Sequence, residues 1–144
     1  WRMHPPTPQS YLELLVTFLP RGSCSPFTRK ALFERIKFLL ELSVTVQFFF
    51  GKRPSSIAVA AFFEVMEHKQ RPNVSKQSFR SHFRYCTRSI AGIYCDSPEV
   101  IECRDAMKVV HKNALHQMDD EVMNERKHTA TPIVSGERVS AVTP

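Results

Sequence analysis

The feature that most constrains this chain is a repeating step of three or four residues between its apolar side chains. Side chains at this spacing fall on one face of an α-helix, whereas a half-buried strand needs alternation at every second residue. One stripe, stepping by four, three, four and three, consists of Phe79, Phe83, Cys86, Ile90 and Ile93. A second stripe of the same kind consists of Val100, Cys103, Met107, Val110 and Ala114. The two stripes predict helices that each bury one face.

Capping and turn-forming residues divide the chain into five predicted helices. Thr7 and Ser97 stand where helix caps belong, each followed by a proline that loses no hydrogen bond in a first helical turn. Gly51 suits a helix end, and Pro54 suits the next start. The predicted helices cover residues 8–19, 28–50, 54–67, the segment after the break at 71–73, and 98 to about 124. The fold class is therefore all-α, with five helices.

The middle of the chain contains two unusual compositions. Ala58, Ala60 and Ala61 would allow neighbouring helices to approach closely, so the third helix is predicted at the centre of the bundle. Residues 42–50 are apolar on nearly every side, which predicts that the end of the second helix is surrounded by other helices. The β-branched run in this stretch is also compatible with a strand, but no partner strand is evident.

The 144 residues suit one domain, which we place at residues 8–124. Residues 125–144 lose the apolar period and gain Thr, Ser, Pro and Gly, so a disordered tail is predicted there. Trp1 in place of an initiator methionine suggests a fragment of a longer protein. The longest apolar stretch, 42–50, is far shorter than the roughly 20 residues of a membrane span. We expect a soluble intracellular protein.

The formal net charge of +6 makes nucleic acid the first acidic partner to consider. Arg80, Arg84 and Arg88 recur at helical spacing, but the other basic residues are scattered. Such a stripe is typical of a solvated helix surface. Protein binding is therefore preferred to nucleic-acid binding.

No motif of nucleotide binding, metalloprotease chemistry or hydrolase chemistry occurs, and the four cysteines form no CxxC pair. His82 and Cys86, four residues apart, are suited in principle to thiolate activation, but Cys86 belongs to an apolar stripe. His111 and His116 point to different sides of a helix, so the histidines are not expected to converge. The acidic run 119–121 is interpreted as a solvated surface. Accordingly, no catalytic, cofactor-binding or metal-ligating residue and no cofactor is predicted, and the protein is not expected to be an enzyme.

Phosphorylation is a further hypothesis for the predicted tail. Thr131 and Thr143 precede prolines, as sites of proline-directed kinases do. Thr7 and Ser97 also precede prolines, but helix capping explains them.

Three segments, in this order, resemble the C-terminal domain of cyclins. Residues 1–8 (WRMHPPTP), followed by Ser10-Tyr11-Leu12, are similar to the junction between the two cyclin boxes. Residues 52–61 (KRPSSIAVAA) resemble the start of the alanine-rich third helix, and residues 95–103 (CDSPEVIEC) the start of the last helix. The pattern is most similar to cyclins of algal or diatom type and to A/B-type and D-type cyclins.

The resemblance implies a five-helix second cyclin box that supports a cyclin-dependent protein kinase in cell-cycle control and cell division. In that family the kinase is held mainly by the first box, and this half braces it. Residues 1–7 would then be the end of the junction, set by Trp1, Pro5, Pro6 and Tyr11. The resemblance also implies a protein of the nucleus and cytoplasm. Core roles are expected for Ile57, Ala58, Ala61, Phe79 and Phe83.

Two other interpretations remain open. A core repeat of the transcription factor IIB type shares the fold and an alanine-rich third helix, and it would bind DNA and polymerase. A helical scaffold with an unrelated partner is the third interpretation.

Overall fold

A computed structural model describes residues 4–68 and 76–130 of the chain. Its helices, in chain order, are α1 (Pro8–Thr17), α2 (Pro26–Ser43), a short 3-10 turn (Gln47–Phe49), α3 (Pro54–His68), α4 (Lys76–Ala91) and α5 (Pro98–Thr129). These two ranges contain no strand. The predicted all-α fold with five helices is therefore confirmed.

Three of the helices have a hydroxyl side chain as their N-terminal cap, and the sequence predicted two of these caps. Each hydroxyl accepts a hydrogen bond from the backbone N–H three residues later, at 3.3 Å for Thr7, 3.1 Å for Ser25 and 3.4 Å for Ser97. These bonds satisfy donors that a helix start otherwise leaves unpaired. Thr7 and Ser97 were predicted as caps, and Ser25 is a further one.

Helix α3 is the centre of the core. It packs against both α1 and α2, and every residue from 56 to 65 is buried. Ala58, Ala60 and Ala61 are fully buried, so the small side chains do allow close approach on several sides. The predicted central position of this helix is confirmed.

Phe83 connects α4 to this core through its aromatic ring. The ring is fully buried and lies 5.4 Å from the ring of Phe63 at 84° and 6.0 Å from that of Phe79 at 22°, centroid to centroid. Phe18, just after α1, approaches the same ring at 6.4 Å. The expected core roles of Phe79 and Phe83 are confirmed, with Phe79 partly buried at the margin.

Helix α2 is shorter than predicted, because it ends at Ser43 rather than near residue 50. Hydrogen bonds three residues apart tighten the last turn, and Val46 then adopts an extended backbone with φ −100° and ψ 116°. The β-branched residues 44–46 have low helix propensity, which favours an end here. The prediction of an enclosed helix end was also wrong: Phe49 is 4% exposed, but Phe50 is 65% exposed.

The apolar stripe predicted for α4 is wrong at Ile90, its last residue within the helix. Ile90 is 67% exposed, and Thr87 is fully buried instead. The Thr87 hydroxyl donates to the Phe83 carbonyl oxygen at 3.0 Å, so its burial leaves no unpaired donor. Beyond the helix, Gly92 has φ +63° and turns the chain back, so that Ile93 fills the core at this end.

Helix α5 carries the predicted apolar stripe: Val100, Cys103 and Met107 are each no more than 1% exposed. The helix continues to Thr129, beyond residue 124 where the predicted domain ends. Basic residues at 126–128 suit the negative end of the helix dipole, which favours these extra turns. The remaining predicted tail, with Thr131 and Thr143, lies outside the described residues.

Two compact units divide the chain, Trp1–Lys112 and Asn113–Pro144. The hydrophobic core cluster lies within the first unit. Among the helices that the structure describes, none has the length and apolarity needed to cross a bilayer.

Candidate functional site

The starts of α3 and α5 are joined by charged side chains. One Glu99 carboxylate oxygen accepts a hydrogen bond from the backbone N–H of Arg53 at 2.7 Å, and the other lies 3.7 Å from the Arg53 Nε. Lys52 Nζ lies 2.8 Å from the Glu102 carboxylate. The bond from the Arg53 N–H is the largest cause that lowers the pKa of Glu99. Glu99 therefore lies in the first turn of α5 and also binds the N-terminal end of α3.

A groove of about 550 Å³ lies beside the connection from α4 to α5. Two exposed tyrosines line it: Tyr85 on α4 is 71% exposed and Tyr94 is 59% exposed. The Arg88 guanidinium lies 5.3 Å from the centre of the Tyr94 ring, within the range of cation–π attraction. Ile93 and Cys95 also line the groove. The groove thus combines aromatic, apolar and cationic surface.

The arginine stripe on α4 is paired within the protein. Arg80 lies 3.2 Å from the Glu67 carboxylate, and Arg84 lies 3.0 Å from the Asp96 carboxylate. With Arg88 placed over a tyrosine, each member of the stripe has an intramolecular partner. This arrangement agrees with the interpretation of the stripe as a helix surface.

A buried carboxylate on α3 brings two histidines together. The Glu64 side chain is 3% exposed, and its Oε1 lies 2.8 Å from the Nε2 of His68 and 3.0 Å from the Nδ1 of His111. The two imidazole rings are nearly perpendicular, with centroids 4.6 Å apart. The expectation that the histidines do not converge was therefore wrong for this pair. The spacing within α5 gave no signal, because the partner comes from α3.

Two of the four free cysteines, Cys95 and Cys103, are buried. Cys103 is fully buried, and burial raises the pKa of its thiol to about 11. Burial also raises the pKa of Cys95, whose Sγ lies 3.1 Å from the Thr87 hydroxyl. Cys86 is half-buried with its Sγ 3.6 Å from His82 Nε2. Cys86 and Cys103 both belong to predicted apolar stripes. Burial is confirmed for Cys103, whereas Cys86 is only half-buried.

Three of the four residues predicted to set the N-terminal junction lie at or just before the start of α1. Pro5 and Pro6 are exposed, whereas Tyr11 is half-buried and packs against the core. Trp1 lies outside the described residues.

Ile57, Ala58 and Ala61 are buried as predicted. The acidic residues 119–121 are all exposed, as expected for a solvated surface.

The sequence profile described as "Cyclin, C-terminal domain" matches residues 6–131, which is most of the chain. The chain belongs to the cyclin family. Comparison of this cyclin domain with curated proteins and with solved structures finds no match. Within the domain, Glu99 and Arg53 belong to two of the segments that carry the family resemblance. Their contact gives those segments a physical role, because one motif binds the helix start formed by the other.

Proposed function

We propose that this cyclin domain is a non-catalytic regulatory module that supports the binding and activation of a cyclin-dependent protein kinase in cell-cycle control. The observation that carries the proposal is the family match over residues 6–131. We assign to the domain the role of bracing a first cyclin box, through which the kinase is held. From the same membership we propose a location in the nucleus and cytoplasm.

The proposed mechanism is differential binding rather than chemistry. A regulatory partner that binds the active arrangement of a kinase more tightly shifts the population toward that arrangement. Such a partner must hold its own shape. The close-packed core around α3, with Ala58 and Ala61 fully buried, supports this requirement because it leaves little room for rearrangement.

The groove beside α4 supports contact with protein. Tyrosine and arginine are enriched in protein interfaces, and Tyr85, Tyr94 and Arg88 occur together here. The alternative of DNA binding finds less support. Arg80 and Arg84 are already paired with carboxylates of the same chain, whereas phosphate binding needs free cationic side chains.

The test compares a first cyclin box alone with the same box followed by this chain. Both proteins are mixed with a purified cyclin-dependent kinase, and its binding and its rate of phosphate transfer to a peptide are measured. We expect tighter binding and a faster rate when the chain is present. Identical values for the two proteins would contradict the proposed bracing role.

Two surface variants test whether the groove beside α4 takes part in protein binding. We expect Tyr94→Ala, in the groove, to reduce the gain in binding, and Phe27→Ala to leave it unchanged. Phe27 is a matched control because it is also aromatic, is 83% exposed and lies on α2. Binding of duplex DNA that falls steeply with salt, in place of kinase binding, would favour the transcription-factor alternative.

A further inference from the structure

Glu64 is an ionisable residue in the middle of an otherwise apolar helix segment. Its neighbours Phe63 and Val65 are buried, and its own side chain is 3% exposed. A buried carboxylate needs compensating partners, because the loss of its hydration is costly. Both partners found here are histidines, and histidine is also the commonest metal ligand among side chains.

The side chains of Glu64, His68 and His111 are brought close together by two helices. Glu64 and His68 are four residues apart on α3 and therefore share a face one turn apart. His111 reaches the same oxygen atom from α5. One ligand atom from each of the three residues lies within 4.8 Å of the other two.

These distances are close to those of a metal centre. Zinc binds histidine nitrogen and carboxylate oxygen at about 2.0–2.2 Å in tetrahedral geometry, which puts neighbouring ligand atoms roughly 3.3 Å apart. The two nitrogen–oxygen distances of 2.8 and 3.0 Å need to lengthen by only a few tenths of an ångström. His68 can supply this movement because its side chain is 57% exposed.

We propose that Glu64, His68 and His111 form a binding site for Zn²⁺. Two imidazoles and one carboxylate are a ligand set that zinc accepts, with a fourth position open to water. The exposed edge of the site at His68 gives the ion a path from solvent. Because the ligands come from α3 and α5, the bound ion links these helices and stabilises the folded chain.

Zinc titration of the purified full chain, made metal-free, tests the site. A chromophoric chelator reports the affinity and stoichiometry, and the thermal unfolding midpoint reports linkage to folding. We expect one zinc ion per chain at this site and a midpoint that rises with zinc concentration, because an ion that binds only the folded state stabilises it. Co²⁺ in place of zinc should give an absorption spectrum typical of tetrahedral nitrogen and oxygen ligands.

His68→Ala is the decisive variant, since the side chain is exposed and its removal should leave the fold intact. Loss of outer-shell partners of a metal site costs about 10- to 100-fold in affinity, so loss of a ligand should weaken zinc binding at least as much. His111→Ala should have the same effect. Circular dichroism checks that each variant remains helical.

His82→Ala is the matched control. His82 is also a histidine on a helix, and it lies 3.6 Å from the thiol of Cys86, which makes this pair the competing zinc ligand. We expect His82→Ala to bind zinc as the natural chain does. Absence of zinc binding, unchanged binding in His68→Ala, or loss of binding in His82→Ala would each overturn the proposal.

Discussion

The ring of Phe83 lies parallel to the ring of Phe62, with their centroids 4.4 Å apart and an angle of 5° between their planes. Phe62 belongs to α3 and Phe83 to α4, and both side chains are fully buried. The stack therefore joins α4 to the central helix. Aromatic pairs contribute about 0.5–1.5 kcal/mol beyond the area that they bury.

Replacement of Phe83 by alanine should strongly destabilise the fold. A buried phenylalanine changed to alanine costs about 3–5 kcal/mol, from lost burial and from the cavity that remains. Urea unfolding followed by circular dichroism measures the loss. Ile90→Ala on the same helix is the control, because Ile90 is 67% exposed and should change stability by less than about 0.5 kcal/mol. Equal losses for the two variants would be inconsistent with this core.

Ala61→Leu should destabilise the protein by overpacking. Ala61 is fully buried on the central helix, and extra methylenes in a close-packed core typically cost about 1–3 kcal/mol. Leucine has a helix propensity near that of alanine, so the loss would reflect packing. Ala130→Leu, at an exposed position, provides the comparison under the same urea titration. A stable Ala61→Leu protein would show that α3 is not enclosed.

Glu99 should make stability depend on pH in the acidic range. Its pKa is lowered in the folded protein, first by the hydrogen bond from the Arg53 N–H, so the folded state favours the carboxylate. The stabilisation is fully present above the ordinary carboxyl pKa of 4.5 and is lost as pH falls through the lower folded value.

Glu99→Gln isolates this effect of charge. The variant should be less stable than the natural chain at pH 7, and the two stabilities should converge as the pH falls well below 4.5. Urea unfolding at a series of pH values gives the comparison. Asp120→Asn, at an exposed position on α5, should show no such convergence. A constant difference between Glu99→Gln and the natural chain at every pH would refute the role of the charge.

The four cysteines should react with iodoacetamide in two classes. The thiolate is the reactive form, and the rise in the pKa of Cys103 from 9.0 to about 11 lowers its thiolate fraction roughly 100-fold. Cys103 and Cys95 are buried as well, whereas Cys24 and Cys86 are half-buried. Mass spectrometry of the folded chain should find Cys24 and Cys86 alkylated first. Rapid modification of Cys103 without denaturant would contradict the described core.

Local signals in the sequence were sufficient for most of the fold. Thr7 and Ser97 are caps beside prolines, and the alanines of α3 mark a close-packed helix, so each could be recognised from its neighbours. The end of α2 could not be placed in this way. Periodicity extends the helix to Phe50. The β-branched residues 44–46 disfavour a helix only weakly, and the packing of Phe49 against the core adds a contact that no local pattern reveals.

The candidate site could not be predicted from the sequence in full, because it depends on contacts between residues that are distant along the chain. Arg53 and Glu99 are 46 residues apart, and Glu64 and His111 are 47 residues apart. No spacing rule within one helix connects such residues, because the packing of α3 and α5 brings them together. A carboxylate in an apolar run was nevertheless a usable signal, since Glu64 stands among residues that are otherwise expected to be buried.

Phe49 holds the connection between α2 and α3 to the core, while Phe48 and Phe50 on either side are 42% and 65% exposed. The entropy of closing a surface loop grows only with the logarithm of its length. Insertions between residues 44 and 47 should therefore be tolerated as long as the phenylalanine at 49 remains. The same site is suited to a fluorescent label or an epitope.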